Sequence, residues 1–203
     1  MNELRKFFYD YTSSDGRRTY KLKSYEPIYE TLLSPFVGRD VTVAEVGIGY
    51  GGSLQMWKEY LGPLAKIYGI DKSGDACYED NQIKCIQGDQ GDKSFVESIP
   101  YLIPGIDIFV DDGSHVNSHQ IATFESVFPS MNPGGIYFCE DIHTSYRSDF
   151  GGGYRKEGTF IEFSKNLIDG LNHLEHEAPI ASYINQIESI TFYRSMVIIK
   201  RNP

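Results

Sequence analysis

Five short apolar runs divide the chain, and the intervals between them restrict what it can fold into. They are VTVAEV (41–46), AKIYGID (65–71), NQIKCIQGD (81–89), IDIFVDD (106–112) and GGIYFCED (134–141). Each is rich in β-branched or aromatic residues and reads as a strand. Helix-like stretches lie between them, SLQMWKEYL (53–61) after the first run and a segment near 116–128 after the fourth. Strands alternating with helices at this spacing predict a parallel sheet covered on both faces. SITFYR and MVIIKR, within 189–201, are joined too closely for a parallel crossover, so that pair is expected to be antiparallel. The expected fold is α/β and doubly wound, a mostly parallel seven-stranded sheet with an antiparallel C-terminal strand. One domain, 1–203, accounts for the length, with 1–40 as a helical lead in which Tyr25, Ile28, Tyr29, Leu32 and Leu33 recur at spacings of three and four.

Charge and composition exclude several classes of function. A net charge of −9 argues against a nucleic-acid surface, which needs clustered Lys and Arg, and the pair Arg17-Arg18 is too small to reverse it. The polar N-terminus MNELRKFFYDYTSSDG is no signal peptide, and no apolar run approaches the roughly 20 residues that cross a bilayer. Cys77, Cys85 and Cys139 are odd in number and lack ligand-like spacing, so no disulfide framework is expected and a cytoplasmic location fits.

EVGIGYGGS (45–53) follows the first run and opens a helix. Gly47, Gly49 and Gly52 satisfy G-x-G-x-x-G, and Asp71 lies about 20 residues on, where a ribose-binding acid belongs. That pattern serves any nucleoside cofactor. Two features favour S-adenosylmethionine over a dinucleotide. Glu45 places a carboxylate before the turn, useful to an amino-bearing ligand and of no use to a pyrophosphate. The third strand ends in GDQ (88–90), offering Asp89 and Gln90 to an adenine edge.

The fourth and fifth runs end in Asp111-Asp112 and Glu140-Asp141. Neighbouring strands lie about 4.8 Å apart, so their tips would bring these carboxylates together. Close carboxylates repel or take up protons unless a cation is present, and an oxygen-rich set suits Mg²⁺. His115 follows Asp112 by three residues, and an imidazole is suited to taking a proton near neutral pH. His119, one helical turn further on, reads as surface or packing. DDGSH also suits a helix N-terminus, where Asp or Ser caps free amides.

These residues resemble a known family. E-V-G-I-G-Y-G-G-S-L-Q-M-W (45–57), Y-G-I-D (68–71), Q-G-D-Q (87–90), D-D-G-S-H (111–115), P-G-G-I-Y (133–137), E-D-I-H-T-S-Y (140–146) and D-G-L-N-H (169–173) are similar to the macrolide sugar O-methyltransferases of the macrocin and mycinamicin type. The resemblance implies a class I methyltransferase fold, S-adenosylmethionine, and Mg²⁺ to bind a sugar diol. It implies Asp112, Glu140 and Asp141 as metal ligands and His115 as general base. Glu45, Gly47, Gly49, Ser53, Asp71, Asp89, Gln90 and Asp111 would serve the cofactor. The expected partner is a small-molecule or glycan acceptor with vicinal hydroxyls, with homo-oligomers also expected.

The loop HTSYRSDFGGGYRKEG (143–158) is long enough to be a lid, with Gly151–Gly153 giving mobility and Tyr146 or Tyr154 lining a sugar site. An exposed linker is the alternative reading. Competing functions are an NAD-dependent oxidoreductase, a cephalosporin-hydroxylase-like enzyme and a non-catalytic S-adenosylmethionine- or sugar-binding module.

Overall fold

The structure is a computed structural model that describes residues 4–9, 11–175 and 181–203. It divides into two compact units, 1–88 and 89–203, taken here in turn.

The first unit carries three parallel strands, β1 (Thr42–Val46), β2 (Lys66–Asp71) and β3 (Ile83–Gln87), with β2 in the middle. Val43 pairs with Ile67, and Ile67 with Ile83, all three fully buried. Helix α1 (Glu26–Leu33) starts with Pro27 in its first turn, where a missing N–H costs nothing. Helix α2 (Gly52–Leu61) runs from Gly51 to Gly62, both with positive φ. Trp57 on α2 is fully buried and meets Tyr29 of α1 edge-on at 5.0 Å.

Two expectations change in this unit. The 1–40 lead is helical only in α1 and a few short 3-10 turns; residues 1–3 and 10 lie outside the described residues. Ser13 and Gly16 form a turn (Gly16 φ 84°), Thr12 bridges Arg18 as antiparallel strand, and the chain then runs extended towards α1. Glycine with positive φ breaks a helix that aromatic spacing alone would allow. The cysteines also differ. Cys77 and Cys85 form a disulfide with Cα atoms 5.4 Å apart, leaving Cys139 free and buried. Asp80 makes the pairing possible: its carboxylate accepts from the amides of Gln82 (2.7 Å) and Ile83 (2.8 Å) and turns the chain back along β3. The cysteine argument for a cytoplasmic location falls with this pairing.

The second unit carries β4 (Ile108–Asp111), β5 (Ile136–Cys139), β6 (Ile187–Tyr193) and β7 (Met196–Arg201). β4 and β5 are parallel; β7 runs antiparallel to both β5 and β6, as the short terminal connection requires. Helices α3 (Lys93–Leu102), α4 (Asn117–Val127) and α5 (Phe160–Leu171) complete it. The motif reading does not include α3, although Asp92 caps it through the amides of Ser94 and Phe95. Phe109 stacks on Tyr137 at 5.1 Å, and Phe124 meets Tyr137 edge-on, also at 5.1 Å. Among the described strands, those of the first unit are mutually parallel and those of the second are parallel except for β7, so the fold is the expected α/β class, mostly parallel with an antiparallel C-terminal strand.

The 143–158 loop is folded rather than slack. It contains two 3-10 turns, Ile142–Tyr146 and Ser148–Phe150. Asn117 is buried at its centre: its amide donates to the carbonyl of Phe150 (2.8 Å), and its Oδ1 accepts from Ser145 Oγ (2.7 Å) and the amide of Phe160 (2.8 Å). A Cβ on Gly152 would lie 2.5–2.6 Å from the carbonyls of Thr144, Ser145 and Arg147. Glycine at 152 serves close backbone packing, which replaces the expected role in mobility. Among the described residues, no helix is long and apolar enough to cross a membrane.

Candidate active site

In the first unit the glycine turn leaves β1 with Gly47, Gly49 and Gly51 all at positive φ. Gly52 is held differently. Its amide donates to the carbonyl of Arg18 (3.2 Å), and a Cβ there would lie 2.5 Å from that oxygen. The lead therefore crosses the start of α2. Arg18 lies over the ring of Tyr50 (4.7 Å) and Arg17 over that of Tyr78 (3.5 Å), so the pair read only for its charge anchors the lead by cation–π contacts. A cleft of about 430 Å³ opens here, lined by Asp15 and Arg17 of the lead and by Gly49, Tyr50, Ser73 and Asp75.

Asp71 ends β2 and accepts from the amides of Ile48 (3.1 Å) and Ser73 (2.8 Å). A carboxylate has about four acceptor positions, so capacity remains for a diol. Ser53 Oγ is buried with no hydrogen-bond partner among the described residues. Three glycines permitting close approach, an acid at the next strand end and an orphaned hydroxyl fit a nucleoside cofactor. Glu45 is placed differently from the expectation. It is fully buried, 2.8 Å from Lys21 Nζ, and its Oε2 accepts from the Trp57 indole at 2.9 Å. Its charge is met inside the protein by the Lys21 ammonium, so it supports the turn from beneath rather than facing a ligand's amino group.

In the second unit Gln90 and Asp111 are likewise turned inward. Gln90 Nε2 donates to Asp111 Oδ1 (2.8 Å) and Thr123 Oγ1 (3.1 Å), and its Oε1 accepts from the amide of Ser114 (2.8 Å). That amide is occupied within the fold and does not present to an adenine edge as expected. Asp111 also accepts from the Tyr137 hydroxyl at 3.0 Å. Burial pushes its carboxyl above the ordinary range, against the opposing effect of these two donors. Asp89 is exposed, one oxygen accepting from the amide of Gly91 at 2.8 Å.

Asp112, His115 and Asp141 converge, each offering a ligand atom within 4.8 Å of the others. His115 Nε2 is 3.9 Å from Asp141 Oδ2, while its Nδ1 is buried and without a hydrogen-bond partner. The ring therefore presents Nε2 to the carboxylates. Glu140, expected as the third ligand, is 1% exposed and not in this group. His119 is half-buried. Ser114 Oγ accepts from the amide of Val116 (3.3 Å) and is hydrogen-bonded with His119 Nδ1 (2.9 Å). Two half-buried carboxylates this close together fit a hard divalent cation; the added imidazole nitrogen is available either to it or to a proton. Tyr146 and Tyr154 are 56% and 78% exposed.

Fold and site together define a class I methyltransferase architecture with an acidic, histidine-bearing centre. A solved structure of MycE methyltransferase from the mycinamycin pathway, in complex with Mg, SAH and mycinamycin VI, matches 99% of this chain at 30% identity with a TM-score of 0.84, over 53% of its own length. The chain is 33% identical over 198 residues to 8-demethyl-8-alpha-L-rhamnosyl tetracenomycin-C 2'-O-methyltransferase of Streptomyces olivaceus, covering 92% of this chain and 52% of that enzyme. It is 37% identical over 161 residues to mycinamicin VI 2''-O-methyltransferase of Micromonospora griseorubida, covering 74% and 40% respectively. The chain thus spans about half the length of the relatives it matches. No family model matches. The resemblance read in the sequence is borne out: these relatives are sugar O-methyltransferases of the macrocin and mycinamicin type.

Proposed function

We propose that this chain is an S-adenosylmethionine-dependent, Mg²⁺-dependent O-methyltransferase, acting as a single 1–203 domain on a hydroxyl of a sugar or glycosylated natural product. The observation that carries the reading is the convergence of Asp112, His115 and Asp141 within 4.8 Å. The names of the relatives support the substrate class, since they act on rhamnosyl and mycinamicin acceptors.

S-adenosylmethionine supplies a sulfonium methyl, and Mg²⁺ supplies a charge that gathers oxygen ligands. Asp112 and Asp141 are the residues to hold the cation. Glu140, buried next to Asp141 in sequence, is the third oxygen ligand of this reading. His115 Nε2 receives the proton that the acceptor hydroxyl gives up as its oxygen bonds to the methyl carbon and the carbon–sulfur bond breaks. Gly47, Gly49, Ser53 and Asp71 form the cofactor cradle of the first unit, with Glu45 bracing it. In the second unit Asp89 is exposed and available to a ligand, while Gln90 and Asp111 brace their own strand ends. Tyr146 and Tyr154 are available to a sugar ring. Acceptors with vicinal hydroxyls and a homo-oligomer complete the reading, with no nucleic-acid or membrane partner.

Calorimetric titration with S-adenosylhomocysteine, with NAD⁺ as control, tests the cofactor. Binding of the former alone supports methyl transfer, and binding of NAD⁺ instead sinks it. Mg²⁺ titration of His115→Ala separates the histidine's two possible roles. Retained affinity makes it the base, and lost affinity makes it a ligand.

A further inference from the structure

Among the described residues, four that are not glycine have a left-handed backbone: His115 (φ 57°), Asp141 (φ 53°), Arg155 and Ser195. Two of the four belong to the three-residue acidic centre. Such conformations persist only where the surroundings over-determine them, and they gather at functional sites. A single hydroxyl bridges the two. Thr144 is 2% exposed, and its Oγ1 lies 2.9 Å from the carbonyl oxygen of His115 and 3.0 Å from that of Asp141. One O–H hydrogen is thus shared between both strained residues, as in the three-centre bonds common at helix ends. The Thr144 amide donates to the same Asp141 carbonyl at 3.1 Å, which leaves the hydroxyl as the link that reaches the DDGSH turn. The neighbouring Ser145 adds a parallel tie, Oγ to Asn117 Oδ1 at 2.7 Å.

We propose that Thr144 is a positioning residue: its hydroxyl locks the backbones of His115 and Asp141 together and so sets the spacing of proton acceptor and cation ligand. This rests on the reading of the centre given above. Thr144 touches no reacting group and acts only through the two carbonyls it bridges. An isosteric change that removes the hydroxyl should therefore loosen the centre without disturbing the cofactor turn.

The test compares Thr144→Val and Thr144→Ala, which lack the hydroxyl, with Thr144→Ser, which keeps it; two hydroxyl-free variants guard against one failing to fold. Mn²⁺ affinity is measured by calorimetry, and the His115 imidazole is followed by its carbon-bound proton resonances. Loss of the hydroxyl should weaken Mn²⁺ binding roughly 10–100-fold, the usual effect of removing a partner behind a metal site. It should also shift or double the His115 resonance. Thr144→Ser should restore both to wild type, and S-adenosylhomocysteine affinity should be the same in all four proteins. If the wild type binds no Mn²⁺, the metal reading falls, and the His115 resonance alone decides the role of Thr144. Wild-type values for both readouts in the hydroxyl-free variants, or a serine variant that behaves like them, overturn the proposal.

Discussion

Lys21 Nζ and Glu45 Oε1 lie 2.8 Å apart, with both side chains withdrawn from solvent (2% and 0% exposed). This pair joins the N-terminal lead to the strand that delivers the glycine turn, and the Trp57 indole takes the second carboxylate oxygen. Breaking a buried pair leaves an uncompensated charge, which costs about 3–5 kcal/mol. Lys21→Met should therefore lose about that much stability in urea unfolding at pH 7. The double variant Lys21→Met/Glu45→Leu should recover most of the loss.

The Cys77–Cys85 disulfide closes a short loop, its ends eight positions apart in the sequence. Loop-closure entropy for a ring of that size is worth roughly 2–3 kcal/mol. Reduction, or Cys77→Ser with Cys85→Ser, should lower urea stability by about this amount. Equal stability before and after dithiothreitol would show that the two thiols do not pair in solution.

Asp80 gives a defined acid response. Burial pushes its carboxyl up, but hydrogen bonds from Lys58 and from the amides of Gln82 and Ile83 outweigh this, and the net shift is downward. A depressed folded-state pKa means stability that is fully present above the unfolded value, near 4, and is lost as the pH falls through the folded value. Urea midpoints measured from pH 5 to pH 2.5 should fall more steeply for the wild type than for Asp80→Asn.

His115→Ala should lower turnover about 10²–10⁴-fold, the usual share of a general base, while S-adenosylhomocysteine affinity stays the same. Asp112→Asn should instead abolish the separate heat of Mg²⁺ binding. Chelation of the wild type should reduce turnover, and added Mg²⁺ should restore it. Steady-state rates with a rhamnosylated acceptor provide the readout.

The strands were readable because alternation and β-branching act locally, and their tips carried the acids. Which acid faces the centre was not. Asp111, the last residue of β4, is buried against Tyr137, while Asp112, just past the strand, groups with His115 and Asp141. Glu140 and Asp141 both lie past the end of β5, Glu140 buried and Asp141 with a left-handed backbone. The alternation of side chains along a strand stops at its last residue, so it does not sort such neighbours. Lys21 carried no signal either, because a lone lysine reads as solvated surface until a buried partner is known. Gln90 looked free at a strand end, and only the fold revealed the three groups that occupy its amide. The disulfide was hidden for a related reason, since the reversal at Asp80 decides which thiols meet.

Gly52 completes a pattern usually credited to a ligand, yet the atoms crowding its position are those of Arg18 and Thr19. Within one fingerprint, some glycines make room for a guest and another makes room for the host's own chain. Drift away from glycine at 52 in a relative would then report a rerouted N-terminal segment, and the same drift at 47 or 49 an altered grip on the cofactor.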